Sequence, residues 1–376
     1  MTAPLEGLKV LDFSRVLAGP FATMHLADLG AEVVKVERPG TGDDTRAFGP
    51  PFSQGVSTYF LAINRGKRSI TLDLKTPEGR QTARKLADRA DVVIENFRPG
   101  VMGRLGLGPE VLRASNPGLV YCSISGFGRE VERAGYDLVI QGMGGIPSIS
   151  GEPEGSPMKC GASIADLVTG LYAVQGILAA LQRREKTGTG GLVDVPMIDG
   201  QVALLTYHAS GLLNAGAHPR RLGNHHPSIH PYGTYEAADG HLNIAVGNDR
   251  LFGAFARAMG HSEWVDDSRF AKNADRVANR PELDPQINAI LARRTVTEWC
   301  DLFQEAGVPA GPINSVADAV SLVDLVEHPH PAGEGVVQTA PLPFKLDGAE
   351  RAARLPPPAL GEHTKEVLSD WLDVDE

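Results

Sequence analysis

Between Leu8 and Glu37 the chain commits itself to a parallel sheet. Leu8-Lys-Val-Leu-Asp-Phe13 alternates as a strand does, and Ala18 to Gly30 reads as a helix, with Pro20 in its first turn and Gly30 at its end. Ala31-Glu-Val-Val-Lys-Val-Glu37 is the next strand. A strand–helix–strand unit of about 30 residues implies a parallel pair. The pattern continues through Ser69–Leu74, Asp91–Glu95 and Val120–Ile124, with Thr76 capping a helix that begins at Pro77 and runs to about Ala90. In open α/β sheets ligands bind outside the carboxyl ends of the strands, here the loops Asn96-Phe-Arg-Pro-Gly100 and Ser125-Gly-Phe-Gly128. No G-x-G-x-x-G follows the first strand, which disfavours a nicotinamide or flavin cofactor.

At 376 residues the chain has room for more than this sheet. We expect a large Rossmann-like domain over residues 1–213, completed by residues 345–376. A linker at 214–233, rich in Gly, Pro, His and Asn, leads to a smaller α+β domain at 234–326, and a return linker follows at 327–344. The smaller domain reads as a strand at Gly240–Gly247, helices near Leu251–Met259, Pro281–Ala292 and Val296–Ala306, and a strand-like Ala310–Ser315. A net charge of −10 argues against nucleic acid or an anionic membrane, though not against a small polyanion held in a locally basic site. Cys122, Cys160 and Cys300 are scattered, which suggests neither a disulfide framework nor a metal cluster. His225, His226 and His230 match no zinc spacing and read as loop residues, so no metal is expected. The N-terminus lacks a signal core and no apolar run approaches about 18 residues, so a cytoplasmic location is expected.

The most informative stretch is Gly161-Ala-Ser-Ile-Ala-Asp-Leu-Val-Thr-Gly170, which runs into an apolar segment to Ala180 and stops at Lys186-Thr-Gly-Thr-Gly-Gly191. It reads as a buried helix, with Gly170 and Gly176 as notches where another backbone can approach. Asp166 lies at its mouth. Ser163-Ile-Ala-Asp166 fits a capping box, and the macrodipole favours an anion there by roughly 0.3–1 kcal/mol. The sharper alternative is a carboxylate nucleophile, kept ionised by the helix N-terminus and flanked by spare N–H groups. Arg38, Lys75, Arg98 and Arg104 fall in loops or element ends, and suit either a phosphate-bearing ligand or a solvated positive patch.

Taken in order, these motifs resemble the class III CoA-transferases, the group of formyl-CoA and carnitine-related CoA-transferases, with α-methylacyl-CoA racemases as relatives. The resemblance rests on Val10-Leu-Asp-Phe13 with Ala18-Gly-Pro20, Asp28-Leu-Gly-Ala-Glu-Val-Val-Lys-Val-Glu-Arg-Pro-Gly40, Asn64-Arg-Gly-Lys-Arg-Ser-Ile70 and Asp73-Leu-Lys-Thr-Pro-Glu-Gly79. It continues through Glu95-Asn-Phe-Arg-Pro-Gly100, Ser123-Ile-Ser-Gly-Phe-Gly128, Ala165-Asp-Leu-Val-Thr-Gly-Leu-Tyr172 and Leu360-Gly-Glu-His-Thr364. Each is weak alone; together they are specific and span nearly the whole chain.

The resemblance implies that Asp166 is the nucleophile. CoA would move from an acyl-CoA donor, succinyl-CoA being frequent, to a carboxylic acid acceptor through an aspartyl-CoA thioester. No bound cofactor is implied; CoA and its thioesters are substrates, and the partner is a second copy in an interlocked homodimer. Carried over by position, the CoA contacts are Val16, Leu17, Ala18, Arg38, Leu72, Asp73, Leu74, Lys75, Asn96, Phe97, Arg98, Arg104, Arg133 and Tyr136. Some relatives carry Gln where Leu17 stands, and the glycine-rich mobile loop of formyl-CoA transferase is unmatched. Gly247 and Asn248 occupy the comparable region and are the candidate acceptor or lid element. Two alternatives remain at this point. A 2-methylacyl-CoA racemase needs a second base, but its Gly-His-Asp motif reads Gly135-Tyr-Asp137 here, and a Tyr of pKa near 10 is a poor base. A non-catalytic CoA-binding protein would have no need of Asp166.

Overall fold

A computed structural model of the chain describes residues 3–347, 352–353 and 355–372. It divides into two compact units. The larger holds Met1–Ile146, Lys159–Ala217 and Val323–Glu376; the smaller holds Pro147–Met158 and His218–Leu322.

Six parallel strands form the sheet of the larger unit: β1 (Lys9–Asp12), β2 (Glu32–Glu37), β5 (Lys67–Thr71), β6 (Val92–Glu95), β7 (Val120–Ser125) and β8 (Gly191–Pro196). A short hairpin, β3 (Phe52–Ser53) and β4 (Val56–Ser57), stands apart. The sheet order is β5-β2-β1-β6-β7-β8, so connections run outward in both directions from the β1/β6 seam. Successive residues show why both faces are covered. Val10, Val33 and Val92 pack into one core with α1 (Ala18–Asp28) and α8 (Ile164–Thr187). Leu11, Val34 and Val93 pack into the other, with α3 (Pro77–Asp88), α5 (Pro109–Ser115) and α16 (Thr364–Leu372). Apolar residues on both faces of a strand are the mark of a parallel, doubly covered sheet. The β1/β6 seam is therefore the switch point at which such sheets bind ligands.

The short helices α2 (Thr58–Ile63), α4 (Val101–Arg104) and α6 (Asp137–Met143) lie between these elements, and α7 (Ile146–Ile149) is where the chain leaves the larger unit. Thr76 caps α3 as expected, accepting from the Gly79 amide at 3.0 Å. The notch at Gly170 is real: a Cβ there would lie 2.8 Å from the Ala18 carbonyl oxygen. Beyond α8 and β8 come two helices, α9 (Met197–Ala203) and α10 (Thr206–Ala215).

The basic side chains of Asn64-Arg-Gly-Lys-Arg68 are buried, with Arg65 bidentate on Asp28 at 2.9 and 2.6 Å. Two expectations need correction. The α8 helix is long and apolar enough to cross a membrane, and it is not wholly buried. It packs into the sheet core through Ala173 and Ile177 while Leu171 stays 50% exposed.

The domain boundaries shift as well. Residues 147–158 belong to the smaller unit, where Arg221 donates to the carbonyls of Glu152, Pro153 and Gly155. The proposed linker 214–233 contains the end of α10 and the start of β9 (Tyr232–Glu236). The proposed return linker contains β12 (Val326–Pro329) and β13 (Val336–Thr339), which form a hairpin. Within the segment 345–376, residues 348–351, 354 and 373–376 lie outside the described residues.

The smaller unit pairs β9, β10 (His241–Ala245) and β11 (Ala310–Pro312) antiparallel. Around them lie α11 (Asp249–Ala258), α12 (Asn273–Ala278), α13 (Arg280–Leu291), α14 (Val296–Glu305) and α15 (Val316–Val320). Its core is aromatic: Phe255 stacks on Trp264 and Phe303, and Phe303 on Trp299.

Candidate active site

The mouth of α8 is not capped as expected. Ser163 stands at the N-cap position but makes no side-chain cap bond. Asp137, at the start of α6, does that work: its Oδ1 accepts from the amides of Ala165 (2.9 Å) and Asp166 (3.5 Å). Its other oxygen accepts from buried Gln141 at 2.8 Å. A carboxylate thus faces the backbone of Asp166, and the electrostatics follow. Burial, reinforced by the charge of Asp137, pushes the Asp166 carboxyl up to about 7. The helix N-terminus opposes this by about 1 kcal/mol, less than one pKa unit. Asp166 is therefore an unusually basic carboxylate, not one simply kept ionised by its helix.

Opposite stands the loop from Ser14 to Pro20, between β1 and the first turn of α1. Its backbone is tied down by side chains along its length. Ser14 donates to Asp12 (2.8 Å) and accepts from Lys35 (2.9 Å). Asn96 takes both the amide and the carbonyl of Arg15, at 2.8 and 2.7 Å. Val16 donates to Asp43 at 3.2 Å, and the Pro20 carbonyl accepts from Lys67 at 2.9 Å. Val16 has a φ of +67°, in the left-handed region that a β-branched residue rarely enters. Asp43 and Lys35 form a fully buried ion pair at 2.8 Å. Burial raises the Asp43 carboxyl, but the Lys35 ammonium outweighs it and holds Asp43 at about 2. Among the described residues none accepts from the amides of Leu17, Ala18 or Gly19, so the N-terminus of α1 is open.

Two cavities meet here. One of about 190 Å³ is lined by Asp166, by the loop residues Val16, Leu17 and Ala18, and by Asn96, Arg133 and Tyr136. A second of about 680 Å³ is lined by Arg38, by Leu72 to Lys75 and by Lys35, Glu37 and Asp43. Arg15, Phe97 and Arg98 line both. The structure thus brings together most of the residues singled out from sequence.

Arg104 is an exception; it ends α4, is exposed, and lines neither cavity. Gly247 and Asn248 belong to the smaller unit, where the Asn248 side chain caps α11 by accepting from Leu251 at 2.9 Å. Arg38 pairs with Asp44 at 2.5 Å, and Asp44 also reaches Arg15 at 3.4 Å.

Sequence reasoning missed Arg15, Lys35, Asp43, Asp44 and Asp137. It also missed Tyr59 on α2, whose hydroxyl is raised to about 12 by burial and by the charges of Asp166, Asp137 and Asp43. The doublet Asp43-Asp44 and the acid in Gly135-Tyr-Asp137 were the available signals.

In the smaller unit, His225 and His230 point Nε2 at Asp284, at 3.6 and 3.4 Å, a grouping with the donor types of a metal site. Arg280 donates its Nε–H to Nδ1 of His230 at 3.3 Å. The proton of the neutral ring then sits on Nε2, where a metal would need a lone pair. In that tautomer His230 offers no lone pair toward Asp284 for a metal to use.

A basic carboxylate that shares a cavity with Leu17 and Ala18, beside a second cavity lined by Arg15, Arg38, Lys75 and Arg98, suits acyl transfer from a ligand that carries phosphates. The comparisons with known proteins agree. The family model described as CoA-transferase family III matches residues 5–364.

The chain belongs to CoA-transferase family III.

This CoA-transferase is 41% identical to the succinyl-CoA:glutarate CoA-transferase of Mus musculus, covering 99% of this chain and 87% of that one. It is 42% identical to the succinate–glutarate CoA-transferase of Agrobacterium fabrum, covering 99% and 96%. A solved CAIB/BAIF family protein from Brucella suis superposes with a TM-score of 0.87 at 43% identity, over 99% of this chain and all of that one. The enzyme moves CoA from an acyl-CoA donor to a carboxylic acid acceptor; a racemase and a non-catalytic binder are set aside.

Proposed function

We propose that Asp166 is the nucleophile of this CoA-transferase and that transfer passes through an aspartyl-CoA thioester. The raised basicity of Asp166 in its cavity carries the proposal. Its carboxylate attacks the thioester carbonyl and expels CoA thiolate, leaving a mixed anhydride. The thiolate then has two carbonyls to choose from, and attack expels the carboxylate at the other side. Attack at Cγ of Asp166 expels the donor carboxylate and gives aspartyl-CoA. The acceptor carboxylate attacks that Cγ and expels the thiolate. Thiolate attack on the acceptor carbonyl then frees Asp166 and forms the new acyl-CoA.

The two joined cavities give CoA its path. We assign the phosphate-bearing end to the larger cavity, with Arg38, Lys75, Arg98 and Arg15 as cationic partners, and the thioester end to the smaller. Succinyl-CoA as donor and a dicarboxylic acid of glutarate type as acceptor rest on the named activities of the relatives. A homodimer is supported by apolar side chains left open on the larger unit. Leu138, Leu171, Tyr207 and Leu213 are 63%, 50%, 54% and 80% exposed, large side chains of the kind a subunit interface covers.

The test is peptide mass spectrometry after mixing with succinyl-CoA and a panel of small acyl-CoA thioesters, trapping with hydroxylamine or borohydride. The expected label is confined to the peptide bearing Asp166 and is absent from Asp166→Ala. An adduct elsewhere, or none with any donor while the wild type turns over, would overturn the assignment.

A further inference from the structure

The loop from Ser14 to Pro20 is held by more than a loop ordinarily needs, and one of its residues is in a conformation it resists. Val16 sits at φ +67° with its amide on Asp43, while Leu17 and Ala18, the next two residues, line the cavity of Asp166. Asp43 is itself immobilised by Lys35 at 2.8 Å and by the amide and hydroxyl of Thr45, at 2.9 and 2.8 Å. Lys35 in turn holds the Ser14 carbonyl. A strained residue persists only where its surroundings over-determine it. Without the anchor, Val16 would relax toward negative φ and carry Leu17 and Ala18 with it.

We propose that Asp43 is a positioning residue for the transfer reaction: it holds Val16 in the left-handed conformation that presents the open N-terminus of α1 to Asp166. The anchor also lies in the wall of the larger cavity, so the geometry of the smaller cavity is set from beneath the larger one. This inference rests on the assignment of Asp166 as nucleophile.

A glycine reaches φ +67° without the steric penalty that a β-branched residue suffers, and so needs no anchor. That makes the role testable by rescue. Initial rates are measured for wild type, Asp43→Ala, Val16→Gly and the double variant. The substrates are succinyl-CoA and glutarate, or the fastest pair from a panel of C2–C6 acids. Asp43→Ala is expected to lower kcat by about 100-fold, the scale of a 1 Å misplacement, with KM for the acyl-CoA within about threefold. Val16→Gly alone sets the reference rate for the double variant, and in the Asp43→Ala background it restores kcat by about tenfold or more.

Asp43→Asn separates positioning from folding. Its remaining oxygen still accepts from Val16, so kcat stays within about tenfold while the melting temperature falls through loss of the charge facing Lys35. The proposal fails if Val16→Gly restores nothing in a folded Asp43→Ala protein, or if that variant's loss lies wholly in KM. If Asp43→Ala does not fold, a 100-fold kcat loss in folded Asp43→Asn that Val16→Gly does not relieve overturns it equally. Asp166→Ala run alongside keeps the two ideas apart: wild-type turnover in that variant would refute the nucleophile and leave the comparison at Asp43 to stand or fall on its own rates.

Discussion

The two units bury different things. The smaller closes on stacked aromatic rings, and its helices start by ordinary rules: Thr295 and Glu298 form a complete capping box on α14, and Asn248 caps α11. In the larger unit, the region around the β1/β6 seam buries Asp12, Lys35, Glu37, Asp43, Lys67 and Glu95. It leaves α1 uncapped and lets a carboxylate cap the helix that carries another carboxylate. A fold seeking only stability would use the first style throughout. Local rules give way where geometry serves chemistry, and here the exceptions gather at one end of one sheet.

That contrast can be broken or sharpened by substitution. The largest effect on stability is expected at Phe303, fully buried in the aromatic stack. Phe303→Ala should cost about 3–5 kcal/mol, read by denaturant unfolding through the fluorescence of Trp264 and Trp299. Its Asp166 peptide should still label under conditions where that fluorescence is native; lost labelling there would mean the two styles are not separable.

Next is Asp137. Because the Asp166 carboxyl is raised, kcat/KM should climb with pH through about 7 as this proposed nucleophile ionises. Asp137→Asn keeps an oxygen for the Ala165 amide but removes the like charge, the smaller of the two causes of the shift. The rising limb should move down by about one pH unit. An unmoved limb would assign the whole effect to burial.

The smallest effect belongs to Thr295, where Thr295→Ala should cost about 1 kcal/mol of stability and leave the pH profile alone.

What could be read from sequence divides along the same line. The strands β1, β2, β6 and β7, the cap at Thr76 and the ends of α13 and α14 are local patterns, and the structure places them within a few residues of expectation. Asp166 stands out through its motif, and the structure sets it in a cavity. Its cap was not legible, because Ser163 satisfies the local rule while Asp137, 28 residues before Ala165, takes the amides. The burial of Arg65, Lys67 and Arg68 has no local signal, because their partners Asp28, Asp12 and Glu32 lie on other elements. The strand β9 was hidden in a stretch whose glycine, proline and histidine content signals a loop; its pairing with β10 overrides that local signal.

The notch at Gly170 gains weight from this. Asp166 rides on α8 and the Val16–Ala18 loop leads into α1, and the two helices touch where a Cβ at position 170 would meet the Ala18 carbonyl at 2.8 Å. The approach of the helix that carries Asp166, the proposed nucleophile, to the start of α1 is thus gauged by a missing methyl group. Adding it would wedge the two halves of the site apart without altering any group that takes part in the chemistry.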